Sequence, residues 1–143
     1  MKIRLIFLGK TRRAECRAML EDYLARVRRY ADLEVAELRE DSAALRRFEL
    51  DSADTNVLLD AAGPQRSTAD FAKWLRAHRE RGDSRTLNFL CGADEGFPES
   101  LARQANAKLS LSALTMPHEL ARVVLAEQIY RAFTIMAGHP YSK

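Results

Sequence analysis

Apolar residues recur along this chain with two periods that alternate from end to end. Lys2–Leu8 is a short apolar run closed by Gly9, the pattern of a buried strand. From Arg12 to Arg29 the apolar positions Cys16, Met19, Leu20, Tyr23, Leu24 and Val27 return every three or four residues, which predicts an amphipathic helix with an arginine-rich polar side. Leu33–Leu38 alternates apolar and acidic residues like a half-exposed strand. A short helix is expected over Ser42–Leu50, and another strand over Asn56–Asp60, broken by Ala61-Ala-Gly-Pro64. Ser67-Thr-Ala-Asp70 reads as a capping box opening a helix that runs to Arg81 and closes at Gly82. Thr86–Cys91 predicts a central strand, Pro98 the start of a short helix, Lys108–Ser112 a last strand, and His118–Ala137 a long final helix.

Strands that alternate with helices predict an α/β fold, with a mostly parallel sheet flanked by helices. No linker, repeat or low-complexity tract divides residues 1–143, so one domain is expected. The final helix is unusual, because its apolar residues cover most of its circumference. Such a helix is buried on more than one side. A second subunit is expected on the side away from the sheet, with Val123 and Phe133 at the contact.

Composition narrows the setting. The chain has 143 residues, of which 47% are hydrophobic and 30% charged, enough for both a core and a solvated surface. Its net charge of +3 is unevenly spread: residues 1–50 carry 12 basic and 9 acidic side chains, residues 51–100 carry 6 and 9, and residues 101–143 carry 5 and 2. If the two basic ends meet, they make one positive face for an anionic partner. Two distant cysteines, Cys16 and Cys91, suit a reducing cytoplasm rather than a disulfide-stapled fold. Three scattered histidines give no zinc spacing, so no metal is expected. The opening run is too short and too basic for a signal peptide, and no stretch is long enough to span a membrane.

Ligands of open parallel sheets bind beyond the carboxyl ends of the strands. Three such ends are rich in small residues: Leu58-Leu-Asp-Ala-Ala-Gly63, Leu90-Cys-Gly-Ala-Asp-Glu-Gly96 and Leu111-Ser-Ala-Leu-Thr-Met-Pro117. Small side chains let a ligand approach the backbone, whose free peptide groups can bond an adenine or a ribose. Gly92 and Gly96 form neither a P-loop nor a dinucleotide fingerprint, and two glycines after a strand also make an ordinary turn. From composition alone, a doubly wound nucleotide-binding enzyme of another chemistry fits as well.

A more specific signal lies in the last third. Leu109-Ser-Leu-Ser-Ala-Leu-Thr-Met-Pro-His118, then Arg122, Ala126-Glu-Gln-Ile-Tyr-Arg-Ala132 and His139-Pro-Tyr141 closely resemble the RlmH (YbeA) family of SPOUT-class methyltransferases. Gly9-Lys10, Glu21-Asp-Tyr-Leu-Ala-Arg26, Leu58-Leu-Asp60 and the Gly92 loop extend the resemblance over the whole chain. It implies a C-terminal trefoil knot, a homodimer, and methylation of N3 of a pseudouridine in 23S ribosomal RNA with S-adenosyl-L-methionine as donor. On matching positions it implies a cofactor site at Leu59, Gly92, Leu111, Ser112, Ala113, Leu114, Thr115 and Met116. Many relatives have a second glycine where Ala93 stands, so the competing expectation is a knotted ribosome- or RNA-binding protein with weak or no activity.

Residues on the substrate side follow from these readings. His139 and Tyr141, in a polar tail around Pro140, are the candidate catalytic residues, for substrate contact or proton handling; they are expected to face the methyl donor across the dimer, with Tyr141 stacking on an extruded base. Lys10, Arg12 and Arg13 are expected to hold RNA phosphates. Arg122 and Arg131 interrupt an apolar helix, and each reads either as an RNA contact or as one half of an ion pair with Glu127 of this or the partner subunit. His118, after Pro117, reads as a capping or packing residue, and Cys91 and Trp74 as core.

Overall fold

The structure, a computed structural model, describes residues 1–40, 43–83 and 85–142. The expected helix start at Ser42 and the tail residue Lys143 lie outside the described residues. In chain order the elements are β1 (Lys2–Leu8), α1 (Ala14–Val27), β2 (Asp32–Leu38), α2 (Ala43–Arg47), β3 (Thr55–Leu59), α3 (Thr68–Glu80), β4 (Thr86–Cys91), α4 (Glu99–Ala102), β5 (Ala107–Leu109) and α5 (His118–Met136), with a final 3-10 turn at Pro140–Ser142. The five strands form one parallel sheet in the order β2-β1-β4-β3-β5.

Side chains alternate between the two faces of each strand, and each face has its own core. Ile3, Leu5 and Phe7 of β1, with Leu87, Phe89 and Cys91 of β4, join residues of α1, α3 and α5 on one side. Ile6, Leu8, Leu58 and Leu90 meet Leu45 of α2 and Leu101 of α4 on the other. Arg4, the cation inside β1, is absorbed by a polar ladder on that second face. Its Nε donates to Asn88 Oδ1 (3.0 Å), and Asn88 Nδ2 donates to Asn56 Oδ1 (2.8 Å). The register sets Arg4 beside Asn88 and Asn88 beside Asn56, so the strand pairing itself satisfies these buried groups.

Three expectations shift. The last strand ends at Leu109 rather than Ser112, because Ser110 spends its backbone N–H on Pro64 O and its hydroxyl on Ala61 O and Ser112 O. Met19 is 50% exposed: α1 turns Leu20, Leu24 and Val27 inward, and Met19 falls outside that stripe. The all-round apolarity of α5 is met mainly inside the chain, since this helix packs on β4 with α1 along one flank and α3 along the other. Phe133 stacks on Tyr30 at 5.4 Å, and Gln128 accepts from Thr68 of α3. Val123 and Phe133 are therefore core residues, 4% and 0% exposed, and not the subunit contact expected of them. Among the described residues no helix is long and apolar enough to cross a membrane.

Candidate functional site

Strand order decides what meets what. β4, β3 and β5 are neighbours, so their carboxyl ends lie side by side and open onto one cavity of about 420 Å³. Leu59, Gly92, Leu111, Ser112, Leu114, Thr115 and Met116, drawn from three separate stretches of sequence, all line it. Ala113 is solvent-exposed in the same loop and is not among the lining residues. Ser112 Oγ accepts the Leu114 N–H (2.9 Å) and shapes this loop, and Leu114 stands 78% exposed at the cavity. A leucine so exposed beside small residues offers an apolar surface to a planar ligand.

The two glycines of the β4 loop are needed for different reasons. A Cβ on Gly92 would lie 2.7 and 2.8 Å from the backbone C and Cα of Gly96 and 3.0 Å from Phe97 N. The loop folds back on itself too closely for any side chain there. Gly96 instead has φ +80°, a Cβ there would meet nothing within 4 Å, and its N–H closes the turn on Ala93 O at 2.9 Å. Ala93 does not adopt a positive φ, so an alanine is unstrained at this position of the loop.

Asp94 and His118 join this loop to the start of α5: His118 Nδ1 and Asp94 Oδ1 are 2.7 Å apart, and both side chains line the cavity. His118 thus belongs to the cavity wall as well as to a helix start. Sequence reading did not find the pair, because 24 residues separate its members and they belong to two different stretches that only the fold brings together. Just beyond, Glu119 Oε1 accepts the N–H groups of Arg12 and Arg13, each at 2.9 Å. The basic segment Lys10–Arg13 is thereby held beside the same helix start, with its three cationic side chains exposed.

Arg122 does not reach this surface. It is 0% exposed, with Nη1 on Thr11 Oγ1 (2.9 Å), Nη2 on Leu8 O (2.8 Å) and its guanidinium 4.6 Å over Phe7. The expected RNA contact and the expected pairing with Glu127 both give way to this internal role. Glu127 pairs with Arg131, the other arginine expected to meet it, one turn along α5 at 3.0 Å.

The tail lies elsewhere. Tyr141 donates its hydroxyl to Glu127 Oε2 (3.1 Å), packs on Tyr130 at 4.7 Å, and lies under the Arg131 guanidinium. Burial, with hydrogen bonds to Tyr23 and Glu127, pushes its phenol up to about 12, so it holds its proton at neutral pH. His139 Nδ1 accepts the Tyr141 N–H at 3.3 Å and is otherwise exposed. Glu127 is nine residues beyond His118 on α5, about 14 Å along the axis. Within one chain His139 and Tyr141 therefore do not face the cavity, and the Tyr141 ring already has neighbours on it.

Cys91 ends β4 at the cavity wall, and burial pushes its thiol up to about 12. A thiol reagent should label Cys91 only after denaturation, while the half-buried Cys16 reacts sooner. Mass spectrometry of the native chain checks this, and rapid labelling of Cys91 would show that the cavity wall opens.

Comparison with known proteins identifies the family. A family model described as "Predicted SPOUT methyltransferase" matches residues 1–142. The chain is 37% identical over 143 residues to ribosomal RNA large subunit methyltransferase H of Koribacter versatilis, covering 99% of this chain and 97% of the relative. The protein of the same name from Solibacter usitatus is 40% identical, over 99% of each chain. That from Thermus thermophilus is 38% identical, over 100% of this chain and 99% of its own. A solved Legionella pneumophila methyltransferase overlaps more loosely, with a TM-score of 0.47 at 13% identity over 92% of this chain and 66% of that one. On the full-length matches, this chain belongs to the SPOUT methyltransferases, in the family of the ribosomal RNA large subunit methyltransferases H.

Proposed function

We propose that this chain methylates N3 of a pseudouridine in 23S ribosomal RNA, using S-adenosyl-L-methionine, as a cytoplasmic, trefoil-knotted homodimer. The observation that carries the reading is the cavity at three adjacent strand ends, in a chain whose family performs methyl transfer. Its residues fit the cofactor. The volume of about 420 Å³ lies within the range of small-molecule sites, the Gly92–Gly96 turn puts only the Ala93 methyl and the Asp94 carboxylate on the cavity, and Leu114 offers apolar surface to an adenine.

When bound, S-adenosylmethionine supplies the activated methyl group. The chain's own task is to orient the two reactants and to let the imide proton leave. Asp60, Cys91, Asp94 and His118 are the ionisable side chains along the cavity. Cys91, held as a thiol, cannot take the proton, which leaves the carboxylates and His118. Lys10, Arg12 and Arg13 supply positive potential beside the cavity, which favours both the RNA backbone and an imide anion.

A homodimer suits what α5 leaves uncovered. Leu120 and Ile135 are 41% and 38% exposed, and helical spacing sets them on one stripe with the half-buried Val124 and Arg131. A second chain on that stripe would bring its own tail near the first chain's cavity.

Transfer of a radiolabelled methyl group to ribosomes tests the reading, with ribosomes lacking the pseudouridine as comparison. Label only in the first sample is expected, and equal label in both would overturn the N3-pseudouridine assignment. Lys10→Ala should lower the slope of log affinity against log salt by about 0.7–0.9. Ribosome binding across a salt series measures it, and an unchanged slope removes Lys10 from the interface.

A further inference from the structure

We infer that Glu119 and Arg122 are positioning residues for the RNA substrate: from the start of α5 they hold the backbone of Leu8–Arg13, and so place Lys10, Arg12 and Arg13 beside the cofactor cavity. The inference rests on the reading of those three cations as phosphate contacts.

Helix α1 has no side-chain cap of its own at Arg13, and α5 has none at Pro117. Glu119 serves both ends. It sits in the first turn of α5, where a negative charge is favoured, and its Oε1 accepts the last two N–H groups before α1 begins, each at 2.9 Å. Arg122 lies one turn further on and grips the same segment from inside, through Thr11 Oγ1 and Leu8 O. Thr11 is itself buried and donates its N–H to Glu37 Oε2 at 3.3 Å, while Gly9, at φ +84°, turns the chain out of β1.

The five residues without regular structure between β1 and α1 are thus fixed by two side chains more than 100 positions away. Burying a guanidinium and a carboxylate is not the most stabilising use of these sites, and Arg122 Nε has no hydrogen-bond partner. The arrangement makes sense as placement. His118, adjacent to Glu119, is part of the cavity wall, so the phosphate-facing cations and the methyl-donor site are built on consecutive residues of one helix turn.

Two isosteric variants approach the segment from different partners. Glu119→Gln keeps the shape but weakens the two N–H bonds, and Thr11→Val removes one of the two acceptors of Arg122. Each should weaken ribosome binding about tenfold and flatten its salt dependence, while cofactor affinity by calorimetry and kcat stay within about twofold. Combination with Lys10→Ala separates placement from general weakening. If the segment is already displaced, the double variant binds ribosomes little worse than the worse single one. Independent, multiplying effects, or unchanged ribosome binding in whichever variant retains the parent's circular dichroism, would overturn the inference. Should Lys10→Ala act while Glu119→Gln and Thr11→Val do not, this inference alone falls. Should Lys10→Ala do nothing, the phosphate reading falls with it.

Discussion

Replacing Gly92 with valine should abolish S-adenosylmethionine binding while leaving the parallel sheet folded. The added Cβ would meet the Gly96 backbone at 2.7 and 2.8 Å, and backbone cannot swing aside as a side chain can. Relief requires opening the turn that Gly96 N–H closes on Ala93 O, and with it the bridge between Ala93 and Gly96. That turn forms one wall of the cavity. A distortion that removes only ~3 kcal/mol of binding free energy weakens Kd about a hundredfold. The valine therefore acts through the loop, before any contact with the cofactor itself. Gly96→Ala is the milder comparison: it meets no atom, and the price is a left-handed alanine, roughly 1–2 kcal/mol. Calorimetric titration with S-adenosylmethionine measures both, with far-ultraviolet circular dichroism as the test of folding. A folded Gly92→Val chain that binds like the parent would mean that the cofactor site lies elsewhere.

Phe133→Glu should unfold the chain rather than split a dimer. Phe133 is 0% exposed, stacked on Tyr30 in the layer between α5 and α1. Loss of the ring leaves a cavity, worth ~3–5 kcal/mol, and the carboxylate must also be desolvated or protonated. Together these rival the ~5–15 kcal/mol that holds an ordinary domain folded. Leu120→Glu with Ile135→Glu places charge on the outer stripe of α5 and should leave the melting temperature within a few degrees of the parent's. Sedimentation velocity then separates two roles of one helix. The Phe133 variant should aggregate or melt early, and the outer pair should convert a dimer to a folded monomer. A parent that sediments as a monomer at micromolar concentration would end the dimer proposal, and a Phe133→Glu chain as stable as the parent would contradict the fold.

Much of this molecule was legible in its sequence, because strands and helices announce themselves through local periodicity. β1 and β4 fall where the apolar runs lie, and α3 opens at Ser67, whose hydroxyl accepts the Asp70 N–H as the spacing predicts. The small-residue strand ends were also visible, and seven of the eight residues expected at the cofactor site line the cavity they form. What stayed hidden was the fate of charge. Arg122 read as a surface or interface cation, although it is the largest side chain among those wholly buried. Glu119 attracted no notice, although two backbone N–H groups converge on it.

The reason is physical. Whether a charged side chain can be buried depends on the partners it finds, and those partners come from strand order rather than from neighbours in sequence. Parallel pairing through long crossovers sets β4 between β1 and β3, which brings the start of α5 against the turn after β1. The same reasoning covers the tail: His139 and Tyr141 were legible as a motif, but only the packing of Tyr141 on Tyr130 and Glu127 shows that they turn away from their own chain's cavity. The sequence by itself determined the elements, the α/β class and the small-residue strand ends, since each follows from side chains a few positions apart. Only the tertiary structure decided which cations face solvent beside the strand-end cavity and which one is buried against their backbone, because that choice is made by contacts spanning more than 100 residues.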